Sequence, residues 1–197
     1  MTSALPVYTT KELSTSTWRD FERLFTQGHG WDFCACMLFQ RGCHLPRSQF
    51  PTRAHHQVKN LAEKKRLVQQ GRAHGILVYA DGEPVGWCQY GPVDELPIPG
   101  YAEGSTRNPD GFMIVLNEQG RETRRKSAGD VQWRITCYVT NKGHRKKGVA
   151  KIAYNAAVES IRRSGGGIVE ALMPDAWTRS GHGRAESVQR IRLKPLF

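Results

Sequence analysis

The chain has 197 residues and a net charge of +11, from 29 lysines and arginines against 18 acidic residues. This length favours one domain with a proper core, and a hydrophobic fraction of 39% argues against wholesale disorder. No apolar run is long enough to span a membrane, and the N-terminal residues MTSALPVYTT lack the pattern of a signal peptide. The five cysteines are an odd number, which favours reduced thiols. We therefore expect a basic cytoplasmic protein.

The first half of the chain carries signals of helices followed by a hairpin. Its predicted elements are a strand at 5–9, a helix from 18 to about 28, a helix at 58–70, and strands at 76–80 and 85–90. The two strands flank Asp81-Gly82, a turn pair that favours an antiparallel hairpin.

The segment from residue 93 to residue 130 is rich in proline, glycine and charge, so it is predicted to be mostly an extended loop or insertion. Residues 112–116 fit a short strand within it. The basic run at 121–126 is typical of a solvated surface. Aromatic residues do not interleave with the basic runs, so a nucleic-acid partner rests on charge alone.

The most informative segment extends from Val131 to Ile161. Apolar and polar residues alternate from Val131 to Val139, which indicates a half-buried strand. After Asn141-Lys142-Gly143, apolar residues recur at helical spacing from Val149. Cations precede this helix, and a helix N-terminus with unpaired N–H groups suits a phosphate anion. The alternative is a basic turn that caps an ordinary helix.

The last part of the chain is predicted to be one strand and a basic tail. Glycines at 165–167 end the long helix, and residues 168–173 fit a further strand. The Gly/Arg-rich residues after it have room for a short helix at 185–193.

The motif R-x-x-G-x-A at 145–150, between an alternating strand and an amphipathic helix, resembles the acyl-CoA loop of the GNAT N-acetyltransferase superfamily. Gly86-Trp87-Cys88, Cys34-x-Cys36-Met37 and Glu170 resemble a bacterial-type branch of that superfamily. The matching segments lie between residues 30 and 175. This resemblance implies an α/β (α+β) fold with a mixed, mostly antiparallel sheet flanked by helices.

GNAT proteins usually continue after their fifth strand with a helix and a β-hairpin, and this chain is predicted to lack them. The expected organisation is a GNAT-like acyl-CoA-binding domain at 1–177 and a basic tail at 178–197. Without a final hairpin the fifth strand would be an exposed edge. We therefore expect a partner chain to cover it, for example in a homodimer.

The resemblance implies transfer of the acetyl group of acetyl-CoA to a primary amine of a small molecule or a macromolecule. Backbone groups of Tyr138, Val139 and Thr140 would bind pantetheine, and one N–H would stabilise the oxyanion. The loop of six residues would hold the pyrophosphate: Arg145, Lys146, Lys147, Gly148, Val149 and Ala150.

Further candidates concern proton transfer and the acceptor. Glu170 is the first candidate for the general base, although it has the alternatives of facing solvent or pairing with an arginine. Tyr138 is the candidate acid for the leaving thiolate, or else packs on the sheet. Glu95 and Trp87 are candidates for acceptor binding, with a solvated loop and the core as their respective alternatives.

No metal is expected. Cys34, Cys36, Cys43 and His44 lack the paired spacing of zinc sites, so buried thiols are favoured. The competing class of function is a degenerate GNAT scaffold that binds CoA or nucleic acid without turnover.

Overall fold

The computed structural model describes residues 6–27, 33–41, 52–97, 112–116, 122–126, 131–174 and 186–196. The helices are α1 (Trp18–Thr26), α2 (Met37–Arg41), α3 (Arg53–Gln69) and α4 (Val149–Arg163). The strands are β1 (Tyr8–Glu12), β2 (His74–Ala80), β3 (Glu83–Pro92), β4 (Phe112–Leu116), β5 (Glu122–Lys126), β6 (Trp133–Thr140), β7 (Gly167–Pro174) and β8 (Glu186–Leu193). None of the helices in these ranges is long and apolar enough to cross a membrane.

Six strands form a mixed sheet in the order β1-β2-β3-β6-β7-β8, and β4 and β5 form a separate antiparallel hairpin. The pairs β1–β2, β2–β3 and β7–β8 are antiparallel. Strands β6 and β7 are parallel and are joined through α4, as parallel neighbours need a long crossover connection. This confirms the predicted α/β class with a mixed, mostly antiparallel sheet and flanking helices.

The predicted central hairpin is confirmed as β2 and β3. Asp81 has φ = 52° and Gly82 has φ = 81°, so both turn residues are in the left-handed region that a two-residue hairpin of this hand needs. Asparagine, aspartate and glycine tolerate that region better than other residues do. The turn therefore follows directly from the local sequence.

The prediction of a helix at 185–193 was wrong, and so was the exposed edge predicted for the strand now numbered β7. Residues Glu186–Leu193 form β8, which pairs with β7 along its whole length, from Gly167 opposite Leu193 to Pro174 opposite Glu186. The unpaired backbone groups of an edge strand stabilise an added strand whatever its intrinsic preference. The edge that a homodimer was expected to cover is therefore already paired within the chain.

Two predicted details of the middle segment had different outcomes. The short strand at 112–116 is confirmed as β4. The segment around it was expected to be mostly an extended loop, and this was wrong for residues Glu122–Lys126, which form β5 with Arg124 opposite Ile114. The long helix and the strands before and after it are confirmed as α4, β6 and β7.

Backbone contacts divide the chain into two compact units. Unit 1 consists of Met1–Met37, Leu45–Tyr90 and Cys137–Glu159, and unit 2 consists of Leu38–His44, Gly91–Thr136 and Ser160–Phe197. The core of unit 1 is aromatic: the Trp87 ring lies 4.8 Å from the Phe21 ring and 6.3 Å from the Phe25 ring, in edge-to-face geometry. Gly75 makes room for it, since a Cβ there would lie 2.0 Å from the indole.

Candidate functional site

In unit 1, β6 runs into a short loop and then into α4. Asn141 directly follows β6, and its backbone N–H donates to Val85 O in β3 at 2.8 Å. Its side chain accepts from the N–H of Gly143 at 3.2 Å and caps a 3-10 turn at Lys142–His144. The loop therefore begins at a fixed point beside β3.

The second half of the loop is exposed and has an unusual backbone. Lys146 has φ = 60° and Gly148 has φ = 82°, so two residues in the left-handed region alternate with ordinary ones. The side chains of Arg145, Lys146 and Lys147 are exposed. Apart from its two chain neighbours, no described residue has an atom within 4 Å of where a Gly148 Cβ would stand, so this glycine leaves open space in front of the helix.

Helix α4 starts at Val149, whose side chain is buried against β3. A Cβ at Gly86 would lie 2.3 Å from Val149 Cγ1, so only glycine permits this approach. The first α4 hydrogen bond closes from Ile152 N–H to Gly148 O at 3.0 Å. The N–H groups before Ile152 have no partner inside the helix, which gives this end a partial positive charge.

A long-range contact ties this loop to the N-terminal strand. The hydroxyl of Tyr8 in β1 lies 3.0 Å from Nδ1 of His144, and the two rings meet edge to face at 5.8 Å. The residues are 136 positions apart in the sequence. The loop is therefore braced from the opposite edge of unit 1.

Tyr138, Val139 and Thr140 are the last residues of β6, and each is half-buried. Burial raises the pKa of Tyr138 far above its ordinary value, and Cys88 and Tyr154 raise it further through their charges and a hydrogen bond with the Cys88 thiol. Tyr154, on α4, was not among the predicted site residues. The sequence gives no sign of a role for Tyr154, because only the fold brings this residue near Tyr138.

Glu170 lies in unit 2 and is paired with an arginine, which was the alternative stated for it. Its Oε2 accepts from Arg134 Nε at 3.1 Å, and the two side chains are 0% and 6% exposed. The Arg134 guanidinium also donates to the carbonyls of Val93 at 3.2 Å and Leu96 at 2.9 Å. The parallel register of β6 and β7 sets Arg134 directly beside Glu170.

The two acceptor-binding candidates are in different environments. Trp87 is completely buried in the core of unit 1, which was its alternative, and it offers no surface to a substrate in this structure. Glu95 lies in the turn after β3, with its backbone N–H donating to Pro92 O at 3.1 Å. Its side chain is half-buried, and its Oε2 atom is shielded from solvent.

Cysteines and histidines do not gather into a metal site among the residues that the structure describes. Cys34, Cys36, Cys88 and Cys137 are not in disulfide bonds. Cys43 and His44, which belonged to the cluster singled out in the sequence, lie outside the described ranges.

A family model for the acetyltransferase (GNAT) family matches residues 15–179 of the chain. The chain belongs to the GNAT acetyltransferase family. The match includes β6, the loop and α4, which confirms the family resemblance found from the R-x-x-G-x-A motif. No curated protein matches the chain.

Several solved structures of GNAT proteins are similar to this chain at low identity. The GNAT family N-acetyltransferase YhbS of Escherichia coli, solved in complex with CoA, is 12% identical, with a TM-score of 0.49 over 98% of this chain and 84% of its own. The histone acetyltransferase HPA2 and related acetyltransferase of Corynebacterium glutamicum is 13% identical, with a TM-score of 0.46 over 96% and 99%. A GCN5-related N-acetyltransferase of Kribbella flavida is 13% identical, with a TM-score of 0.43 over 85% of this chain and 30% of its own. This chain therefore spans less than a third of the Kribbella protein.

Proposed function

We propose that this GNAT protein is an N-acetyltransferase that moves the acetyl group of acetyl-CoA to a primary amine. The observation that carries the proposal is the exposed loop at residues 145–148 in front of the α4 N-terminus. Its left-handed residues at Lys146 and Gly148 and its open space at Gly148 fit a polyanion better than they fit a plain helix cap.

The pyrophosphate of CoA is proposed to bind at this loop and the first turn of α4. Backbone N–H groups at a helix N-terminus combine hydrogen bonding with the favourable end of the helix dipole. Arg145, Lys146 and Lys147 supply positive charge around it, and Val149 anchors the turn by packing on Gly86. Ala150 is exposed in the first turn of α4, and its small side chain leaves room for the pyrophosphate.

Pantetheine is proposed to lie along the end of β6, where the backbone groups of Tyr138, Val139 and Thr140 act as an adjacent strand would. Such backbone pairing orients a flexible ligand at little cost in side-chain entropy. One of these N–H groups would hold the carbonyl oxygen of the thioester and stabilise the oxyanion of the tetrahedral intermediate. Acceleration then comes mainly from positioning.

Two protons must move in this reaction. The attacking amine loses one, and the departing CoA thiolate gains one. Tyr138 is the proposed donor to the thiolate because of its position at the end of β6. Burial raises the pKa of its phenol, which keeps the proton in place but makes the phenol a weaker acid than an ordinary tyrosine. Glu170 is the proposed base only if its pair with Arg134 opens, since its Oε2 is occupied in this structure.

The second candidate function is a CoA-binding protein without turnover, and the engaged state of Glu170 favours it. Both candidates require the loop to bind CoA, so binding and turnover need separate measurements. Glu95 is proposed to bind the acceptor, because its carboxylate suits a cationic amine.

The binding test uses two glycines with matched backbones. Gly148 and Gly71 both have positive φ, at 82° and 69°, and both have open space where a Cβ would stand. Gly148→Glu adds a carboxylate to the proposed anion site, whereas Gly71→Glu adds the same charge and backbone strain after α3. We expect calorimetry to show micromolar acetyl-CoA binding by wild type and Gly71→Glu, and its loss in Gly148→Glu.

Absence of binding by folded wild-type protein would overturn the proposal. Salt-sensitive binding of DNA or RNA without CoA affinity would then assign the basic surface to nucleic acid instead. If CoA binds, release of free thiol with a panel of primary amines separates the two candidates. No turnover with any amine would favour the non-catalytic one.

A further inference from the structure

Two cysteines that the proposed reaction does not use meet inside unit 1. The Sγ atoms of Cys36 and Cys137 lie 2.8 Å apart, although the residues are 101 positions apart in the sequence. A disulfide bond has an S–S length of ~2.05 Å, so a movement of less than about 1 Å would join them. Both are free thiols in this structure.

The backbone holds Cys36 in this position under strain. Ala35 and Cys36 have φ = 43° and φ = 50°, two consecutive non-glycine residues in the left-handed region. Side chains make this region unfavourable for residues other than glycine. The turn is closed by the Met37 N–H, which donates to Cys34 O at 2.9 Å. The Cys36 side chain, 1% exposed, is consequently directed into the core that Cys137 joins.

The two thiols differ in exposure. Cys137 is half-buried, whereas Cys36 is 1% exposed, so Cys137 is the one nearer to solvent and to an oxidant. Burial raises the pKa of the Cys36 thiol well above its usual value. The buried ammonium of Lys64 acts in the opposite direction and favours the thiolate, but burial is the larger effect.

We propose that Cys36 and Cys137 form a modification site that a hydroperoxide closes to a disulfide and a thiol reductant reopens. The Cys137 sulfur attacks the O–O bond, becomes a sulfenic acid and releases water from hydrogen peroxide. The Cys36 sulfur then forms the S–S bond and displaces hydroxide, which leaves as water with the Cys36 proton. The two thiols lose two electrons and two protons, and the peroxide takes up both. Transient disulfides of this type act as redox sensors in reducing compartments.

The bond is expected to weaken acetyl-CoA binding, and this consequence rests on the proposed function. Cys137 immediately precedes Tyr138, the first residue proposed to bind pantetheine. Closing the S–S distance pulls β6 and the Cys34–Met37 turn together, so the backbone groups that face pantetheine move. Because the loss of one backbone hydrogen bond to pantetheine lowers an affinity by roughly two- to tenfold, we expect a loss of that size in acetyl-CoA affinity.

The first test measures the bond in wild-type protein, with no substitution required. The protein is treated with hydrogen peroxide, alkylated, and mapped by mass spectrometry after tryptic digestion without reduction. We expect one product that has lost two hydrogens, in which the peptide at 24–41 is linked to the peptide at 135–142. Retention of all five alkylated thiols, or a sulfinic acid at Cys137, would overturn the proposal.

Variants assign the partner and separate the two claims. The peptide at 24–41 contains both Cys34 and Cys36, so Cys34→Ser is expected to keep the cross-link and Cys36→Ser to abolish it. Cys88→Ser removes a buried thiol of the same unit as the matched control. Calorimetry on reduced and oxidised wild type then gives the change in acetyl-CoA affinity, with dithiothreitol restoring it. Equal affinities would overturn the regulatory consequence. Absence of binding by the reduced protein would overturn the proposed function together with that consequence, whereas the disulfide itself is tested by the cross-link.

Discussion

The ion pair between Arg134 and Glu170 contributes to the stability of unit 2. Both side chains are buried, and the guanidinium also satisfies two carbonyls of the turn after β3. Removing one partner leaves an uncompensated buried charge, which is far more costly than the pair itself is stabilising. Glu170 therefore has a role that does not depend on catalysis.

We expect Glu170→Gln to lower the free energy of unfolding by about 3 kcal/mol, because Arg134 loses its counter-charge. The double change Arg134→Met with Glu170→Leu should recover only part of the loss, since an apolar pair avoids the desolvation of both charges but removes the donor to the carbonyls of Val93 and Leu96. Chemical denaturation gives both values. The matched control is Glu83→Gln, which breaks the exposed pair between Arg23 and Glu83 and should cost about 0.5 kcal/mol or less. Wild-type stability in Glu170→Gln would contradict the structural role.

Tyr138 has the position that its proposed role needs, in the strand segment proposed to bind pantetheine. Burial raises the pKa of its phenol, so proton donation to the thiolate is more costly than from an ordinary tyrosine. We expect Tyr138→Phe to lower kcat by about 10²-fold, the usual contribution of a positioned acid, with little change in acetyl-CoA affinity. Steady-state kinetics and calorimetry measure the two effects. Tyr154→Phe is the control, because Tyr154 of α4 lies near the phenol of Tyr138. An equal fall in kcat in Tyr154→Phe would assign the proton donation to the two tyrosines together.

At the scale of elements, Tyr8 of β1 contacts His144 in the loop between β6 and α4 through its hydroxyl and its ring. Tyr8→Phe removes the bond to His144 Nδ1 but keeps the ring contact. One hydrogen bond is worth about 0.5–1.5 kcal/mol net, so acetyl-CoA affinity should fall by roughly two- to tenfold as the loop loosens. Calorimetry checks this value.

The control for that experiment is Tyr79→Phe, which removes the hydroxyl that donates to Asp20 in α1 at 2.8 Å. It should lower stability without changing the affinity for acetyl-CoA. Unchanged affinity in Tyr8→Phe would show that the loop keeps its shape without the brace from β1.

The elements that the sequence predicts well are those whose cause is local. The β2–β3 hairpin follows from Asp81-Gly82, and α4 follows from its apolar spacing after a strand. Strand β8 was missed because Val188 and Ile191 are three positions apart, a helical spacing. Its strand conformation comes from pairing with β7, which a single sequence does not show.

The candidate site also has a part that the local sequence predicts and parts that depend on distant segments. The loop at 145–150 is recognisable because strand, glycine and helix are contiguous. The pairs Arg134–Glu170, Tyr8–His144 and Cys36–Cys137 depend on register and packing between distant segments. The sequence places Glu170 on a strand, but its pairing with Arg134 follows only from the alignment of β6 with β7.

At the scale of the whole molecule, buried acidic protons make stability depend on alkaline pH. Burial raises the pKa values of Cys36, Cys88, Tyr79 and Tyr138. The folded protein therefore keeps protons that the unfolded chain releases above its own pKa values, about 8.5 for cysteine and about 10 for tyrosine. The free energy of unfolding should accordingly fall as the pH rises through these values.

Chemical denaturation between about pH 8 and about pH 10 measures this fall. Cys88→Ala removes one of the buried protons, so its stability should decline less steeply with pH than that of wild type. An equal slope in the two proteins would mean that other groups cause the alkaline loss.

The position of β8 also determines the order in which the sheet is completed during folding. Strands β6 and β7 are joined through α4, and the outer side of β7 is hydrogen-bonded only after Glu186–Leu193 has paired with it. An intermediate without β8 presents an open strand to other chains, so refolding at high protein concentration should lose more protein to aggregation than refolding at low concentration.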